Sequence, residues 1–194
     1  MTAIVQKRGK LIILSAPSGS GKTTIAKHLL ELELKLQFSI SACSREKRVG
    51  EKDGIDYYFL SPSDFRKRIE ADEFLEWEEV YPDHYYGTLK KEVSRITESG
   101  NNALFDVDVV GGLNIKKFFG QEALAIFVQP PDVKELERRL NLRSTDSKEK
   151  IQMRLDKALH EMSFSENFDL LIINDELHQA LEEAGKAVKS FLSE

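Results

Sequence analysis

The sequence holds a single cysteine, Cys43, so no disulfide can form within the chain. Its four histidines, His28, His84, His160 and His178, are scattered without metal-ligand spacing, which argues against a structural metal. None of them stands near Cys43 in sequence to activate it, so a bland buried thiol is favoured over a nucleophile. No apolar run approaches the roughly 18 residues of a membrane span. The opening MTAIVQKRGKLIIL passes too quickly into a strand-like segment for a signal peptide. Positive charge is not in excess either: 28 Lys and Arg against 33 Asp and Glu leave a formal net charge of −5. No global field draws such a chain to nucleic acid or to an anionic membrane, so any anion must be met by a local cluster of basic groups. Gly/Ser linkers, low-complexity tracts and internal repeats are missing as well. The expectation is a cytoplasmic protein, a monomer or small homo-oligomer, built around one core.

What is present is an alternation. The 194 residues, 41% of them hydrophobic, can bury one substantial core. Short apolar runs at 11–14 (LIIL), 38–41 (FSIS), 103–108 (ALFDVD), 124–128 (LAIFV) and 170–173 (LLII) read as buried strands. Between them, the runs after Gly21, from Thr88 to Ser99, from Gly112 to Phe119 and from Asp175 to Leu192 have helical apolar spacing. Strand alternating with helix predicts an α/β three-layer sandwich around a five-stranded parallel sheet, with its site at the carboxyl ends of the strands. Two stretches interrupt the alternation and read as insertions into one domain spanning 1–194. They are residues 45–87 and 131–165, leaving a core of 1–44, 88–130 and 166–194. In the first insertion, Ser61-Pro62-Ser63-Asp64 is a strong helix start: serine cap, proline at the first helical position, an acid in the first turn.

The segment LIILSAPSGSGKTT is a strand, a turn of small residues and a helix start. Residues Ala16, Pro17, Ser18, Gly19, Ser20, Gly21, Lys22, Thr23 and Thr24 form a phosphate-binding loop (P-loop). Gly19 and Gly21 let successive N–H groups converge on an anion at the positive end of the following helix. Lys22 supplies a point charge for the β- and γ-phosphates, and the Thr23 hydroxyl is placed to reach Mg²⁺. The motif departs from the general pattern only at its first position, where Ala16 replaces glycine. A methyl group fits at the strand's exit if the backbone dihedral angles there are ordinary.

The P-loop leaves the phosphate acceptor open. Downstream come Ser41-Ala42-Cys43-Ser44-Arg45-Glu46-Lys47-Arg48, Gly50, Asp56-Tyr57-Tyr58-Phe59, Glu76-Trp77 and Tyr85-Tyr86-Gly87-Thr88. These meet, in order, the patterns S-x-x-x-R-x-x-R, G-x-D-Y-x-F, E-[FW] and Y-Y-G-[ST], and over about residues 10–190 the chain closely resembles guanylate kinases. The resemblance implies a P-loop NTPase fold with a GMP-binding insertion at 45–87 and a lid at 131–165. It also implies transfer of the γ-phosphoryl group of ATP to GMP (or dGMP) with Mg²⁺. On its terms Arg45, Arg48, Tyr57 and Tyr86 bind the acceptor phosphate, and Glu76 accepts the paired N–H donors of guanine. Ser41 and Thr88 serve O6 or N7, and Asp108 takes a further purine N–H. Two arginines three apart with phenols nearby suit a dianionic phosphate, and a carboxylate suits guanine better than adenine, which would leave it unpaired.

Asp106 and Asp108, spaced i, i+2 at a strand end, are expected to share a face. With Gly111 they match the family's D-[IV]-D-x-x-G, which assigns Asp106 to the Mg²⁺ water shell. The second insertion resembles the family lid, and its candidates for stabilising the migrating phosphoryl group are Arg139, Arg143 and Arg154. Lys22 and Arg45 complete the catalytic candidates. Asn174, with Asp175 beyond the last strand, matches the adenine-contact region. An alternative is a non-catalytic guanylate-kinase-like protein-interaction module. Such modules carry degraded phosphate loops beside other interaction domains, whereas GSGKTT is intact here. A kinase acting on a sugar phosphate is disfavoured by Glu76 with Ser41, Thr88 and Asp108.

Overall fold

The protein is described here by a computed structural model, which covers residues 8–143 and 148–194. In chain order its elements begin with β1 (Leu11–Ser15), α1 (Lys22–Glu31), β2 (Leu36–Phe38), β3 (Ala42–Cys43), β4 (Tyr58–Phe59) and α2 (Pro62–Glu70). Then come β5 (Phe74–Tyr81), β6 (His84–Leu89), α3 (Lys90–Glu98), β7 (Asn102–Asp106), α4 (Val109–Phe119) and β8 (Ala123–Gln129). The chain finishes with α5 (Val133–Arg143), α6 (Lys148–Met162), β9 (Leu170–Ile173) and α7 (Leu177–Ser193).

Five strands form a parallel sheet in the order β2-β7-β1-β8-β9. Every residue of β1 is buried, because both of its faces are covered. Ile12 and Leu14, with Ile126, Val128 and Ile172, meet Ile25, Ala26 and Leu29 of α1 and Ala180, Ala184 and Val188 of α7. On the opposite face α4 comes so close that a Cβ on Gly112 would lie 2.5 Å from the Ser15 hydroxyl and 3.2 Å from Ile13. Burying each large aliphatic side chain contributes about 1.5–3 kcal/mol, so these two faces carry most of the core's stabilisation.

A second sheet, of order β4-β3-β6-β5, has β3 parallel to β4 and antiparallel to β6. Phe65 of α2 stacks on Phe74 and Tyr85, at ring distances of 4.3 and 5.3 Å. Helix α2 starts where its sequence indicates: Ser61 accepts from the Asp64 N–H, with Pro62 at the first position. The described residues group into two compact units, one of residues 8–10 and 37–103, the other of residues 11–36 and 104–194.

Four expected elements move. Helix α1 stops at Glu31, and the LELELKL run beyond it is not helical. Leu30, Leu32, Leu34 and Leu36 alternate, a spacing that a strand-like path serves as well as a helix, and all four pack on the core. Lys35 then adopts a positive φ of 51°, which redirects the chain into β2. FSIS is therefore not one strand, for Ser39, Ile40 and Ser41 lie between β2 and β3. Strand β7 ends at Asp106, so Asp106 and Asp108 are not two residues of one strand face. Instead Asp108 leaves the strand and caps α4, its Oδ1 accepting from the Gly111 N–H at 2.8 Å. Helix α4 consequently opens at Val109, before the Gly112 at which its apolar run begins.

Candidate functional site

The phosphate loop joins β1 to α1 within the second unit. Gly19 and Gly21 both have φ of 95°, a left-handed conformation that side chains resist, and Gly21 opens α1 with no side-chain cap. The first backbone N–H groups of α1 are thus left for an anion. A pocket of about 370 Å³ lies against them, large enough for a polyphosphate chain. Ala16, Pro17, Ser18, Gly19, Gly21, Lys22, Thr23 and Thr24 line it, as do Asp106, Val107, Asp108 and Glu161. Ala16 is buried, so its methyl group is accommodated. Ser20 is fully buried, and its hydroxyl has no hydrogen-bond partner among the described residues.

Lys22 Nζ lies 2.5 Å from Asp106 Oδ1 and donates to the Val107 carbonyl at 2.9 Å. The ammonium is thereby held over the pocket by two oxygen groups. Glu161, from the end of α6, is a lining residue that no local motif announces. Burial pushes its carboxyl up, Lys157 and Lys22 oppose that, and Asp108 adds to it. Beyond its side-chain cap, Asp108 accepts the Ser15 hydroxyl on its carbonyl at 3.0 Å. The residues expected for GMP are thus divided, with Asp108 in this unit and the other seven in the first.

In that first unit, Arg45 is clamped by Glu51 through two parallel bonds of 2.7 and 2.6 Å. Glu51 also accepts the Arg48 N–H at 2.8 Å. The bonds from Arg45, then that from Arg48, draw its carboxyl down to about 2. The Arg45 guanidinium lies 5.0 Å from the Tyr57 ring centroid and 5.5 Å from that of Phe59. Tyr57 and Tyr86 meet edge to face at 6.0 Å. Arg45, Tyr57 and Tyr86 are therefore gathered, while Arg48 is exposed. Glu51 belongs to none of the motif positions, and its only sequence signal is its place directly after Gly50 and six residues beyond Arg45.

Glu76 on β5 and Thr88 on β6 are direct cross-strand partners, and the Thr88 hydroxyl donates to Glu76 Oε1 at 2.6 Å. Both side chains are buried. Ser41 is half-buried, and its carbonyl accepts the Tyr58 N–H. Cys43 is fully buried, and burial pushes its thiol up, which makes it inert.

Of the lid candidates, Arg139 donates to Glu135 at 2.7 Å and to the Asn174 carbonyl at 2.9 Å. Arg154 lies exposed on α6. Arg143 closes α5, and its side chain falls outside the described residues. Asn174 is 4% exposed, and its side-chain amide donates to the Ser20 carbonyl at 2.7 Å. That amide is turned to the phosphate loop.

A parallel sheet whose first strand runs through a glycine loop into a lysine-bearing helix defines a P-loop nucleotide-binding fold. The chain matches the family described as "Guanylate kinase" over residues 8–194, and it belongs to that family of nucleotide-binding kinases. It is 56% identical over 191 residues to a guanylate kinase of Bacteroides thetaiotaomicron, covering 98% of this chain and 94% of that one. With a guanylate kinase of Porphyromonas gingivalis it shares 55% identity over 185 residues, 95% of this chain and 98% of the relative. A crystal structure of guanylate kinase from Anaplasma phagocytophilum superposes with a TM-score of 0.76 at 26% identity, over 97% of this chain and 88% of that one.

Proposed function

We propose that the protein transfers the γ-phosphoryl group of ATP to GMP, giving ADP and GDP. The observation that carries this reading is the glycine-opened helix with Lys22 held over the adjoining pocket. It favours an enzyme over a non-catalytic interaction module, which would have no use for such a cradle.

In this reading residues 16–24 bind the phosphates of ATP, with Lys22 on the β/γ region. The insertion at 45–87 takes GMP: Arg45, Arg48, Tyr57 and Tyr86 hold its phosphate, and Glu76, Thr88, Ser41 and Asp108 read the base. Residues 131–165 form a lid that carries Arg139, Arg143 and Arg154 toward the migrating group. The remaining segments of the 194-residue domain form the core.

No cluster of three or more His, Cys, Asp or Glu side chains suited to a metal occurs among the described residues. Mg²⁺ suits such a site all the same, since it takes few protein ligands and shares substrate phosphates. The Thr23 hydroxyl and the Asp106 carboxylate, both on the pocket wall, would hold it, partly through water. When bound it would neutralise charge on the β- and γ-phosphates.

The reaction requires no general base, because the attacking oxygen of GMP is already anionic. The protein's part is to align the acceptor with the γ-phosphorus, to supply cations where charge develops, and to exclude water. The two bonds to Glu51 engage one hydrogen on each Nη of Arg45, so the Nε–H side of the guanidinium stays available to an acceptor phosphate while Glu51 holds the other side.

No helix among the described residues is long and apolar enough to cross a membrane. The net charge of −5 favours a cytoplasmic enzyme drawn to neither anionic membrane nor nucleic acid, and a monomer or small homo-oligomer completes the reading. The test is a coupled assay of ADP formation from ATP with GMP, AMP, CMP and UMP offered in turn. GMP is expected to be strongly preferred, and equal use of all four would sink the guanine assignment.

A further inference from the structure

Asn174 follows β9 and is buried between two parts of the second unit. Its N–H donates to the Gln129 carbonyl at 2.8 Å, which fixes its backbone to the sheet. The side-chain amide donates to the Ser20 carbonyl at 2.7 Å. The main-chain carbonyl accepts from Arg139 Nη2 at 2.9 Å, while Arg139 Nε is held by Glu135 at 2.7 Å. Gly21 leaves the amide its room, since a Cβ there would lie 2.3 Å from Asn174 Nδ2. The same loop and helix touch at a second point. A Cβ on Gly19 would lie 3.2 Å from Leu136 and 3.3 Å from Leu140, both fully buried on α5.

We infer that Asn174 is a positioning residue that ties the phosphate loop to the lid helix α5. Its side chain sets the loop at Ser20, and its carbonyl sets Arg139. A buried amide donor is costly to remove, because the Ser20 carbonyl would be left without that partner. The inference rests on the donor-site reading above. A shift of the loop when phosphates arrive is passed through Asn174 to an arginine of the lid, beside the direct approach of Gly19 to Leu136 and Leu140.

The test uses Asn174→Asp, which keeps the shape but faces an acceptor toward the Ser20 carbonyl, and Asn174→Ala, which removes the donor without adding charge. Binding of ATP, of inorganic tripolyphosphate and of GMP is measured by calorimetry on the purified full-length protein. Both variants are expected to weaken ATP and tripolyphosphate alike, by about tenfold, the scale set by one buried hydrogen bond. GMP affinity should stay within about twofold, since no Asn174 bond reaches its candidate residues. Loss of ATP binding with tripolyphosphate untouched would make Asn174 an adenine contact and overturn the inference. Unchanged binding of all three, or an equal fall of all three with the melting temperature, would overturn it too. If the unaltered protein bound neither ATP nor tripolyphosphate, the donor-site reading would fail. The tie itself would then be read from amide hydrogen exchange of residues 18–24 and 135–140. Exchange is expected to speed up in both segments of the Ala variant, and exchange confined to one of them would refute the tie.

Discussion

Thr88 Oγ1 donates a 2.6 Å hydrogen bond to Glu76 Oε1 between neighbouring strands, and both side chains are buried. The bond fixes the carboxylate in one orientation and occupies one of its several lone-pair positions. A carboxylate held in this way can accept two adjacent N–H groups of a purine. Glu76→Gln replaces one acceptor with a donor and removes the charge. The expected result is a fall of about 10²-fold or more in kcat/KM for GMP, the scale of a lost polar contact in a specificity site. The KM for ATP should change less than about twofold. Equal damage to both substrates would make Glu76 a structural residue.

Lys22 sits between Asp106 and the Val107 carbonyl. Lys22→Met keeps the aliphatic stem and deletes the ammonium. Steady-state assays should show kcat lowered by about 10²–10³-fold, the usual range for one electrostatic stabiliser. GMP binding, measured separately, should be unaffected. A variant retaining more than a tenth of the activity would remove Lys22 from the phosphoryl-transfer step.

Gly21 and Gly50 both adopt positive φ, 95° and 93°, but only Gly21 is crowded. A Cβ at Gly21 meets Asn174 at 2.3 Å, and one at Gly50 meets nothing within 4 Å. Gly50→Ala should therefore report backbone strain alone, about 1–2 kcal/mol in urea unfolding. Gly21→Ala should exceed it and weaken nucleotide binding as well. Identical losses would mean that the Asn174 amide gives way without penalty.

Glu51 and Glu135 are both drawn from an ordinary 4.5 to about 2 by bonds from arginines, Arg45 in one case and Arg138 with Arg139 in the other. Their folded-state values lie below the unfolded value, so the unfolded chain takes up protons first. The stabilisation is fully present above pH 4.5 and is lost as the pH falls toward about 2. Melting temperature should decline across that window, and the decline should be shallower in Glu51→Gln with Glu135→Gln. Both pairs are near the surface, so added salt should blunt the effect. An unaltered pH slope in the double variant would show that other carboxylates set it.

The contiguous GSGKTT, the capped start of α2 and the apolar runs of β1, β8 and β9 were legible because each is a local signal. What sequence could not supply were contacts whose partners are distant. Asn174 and Ser20 are 154 positions apart, and no spacing rule joins them. Glu161 reaches the phosphate pocket only through the path of α6. The boundary of α1 was misplaced because alternating leucines satisfy two periodicities at once, and only Lys35 and the turn it makes decide between them. Asp108 was assigned to a strand face because its role as a cap depends on where β7 stops.

The Arg45–Glu51 clamp bears on how binding would respond to ionic strength. A bare guanidinium gathers loose counterions from solution, and an incoming phosphate must release them, which makes affinity fall steeply as salt is added. Arg45 instead carries its counterion on the same chain, at 2.6 Å and in fixed geometry. An arriving phosphate dianion then meets a guanidinium already half neutralised by its own chain, so Arg45 contributes less salt dependence than a bare cation would.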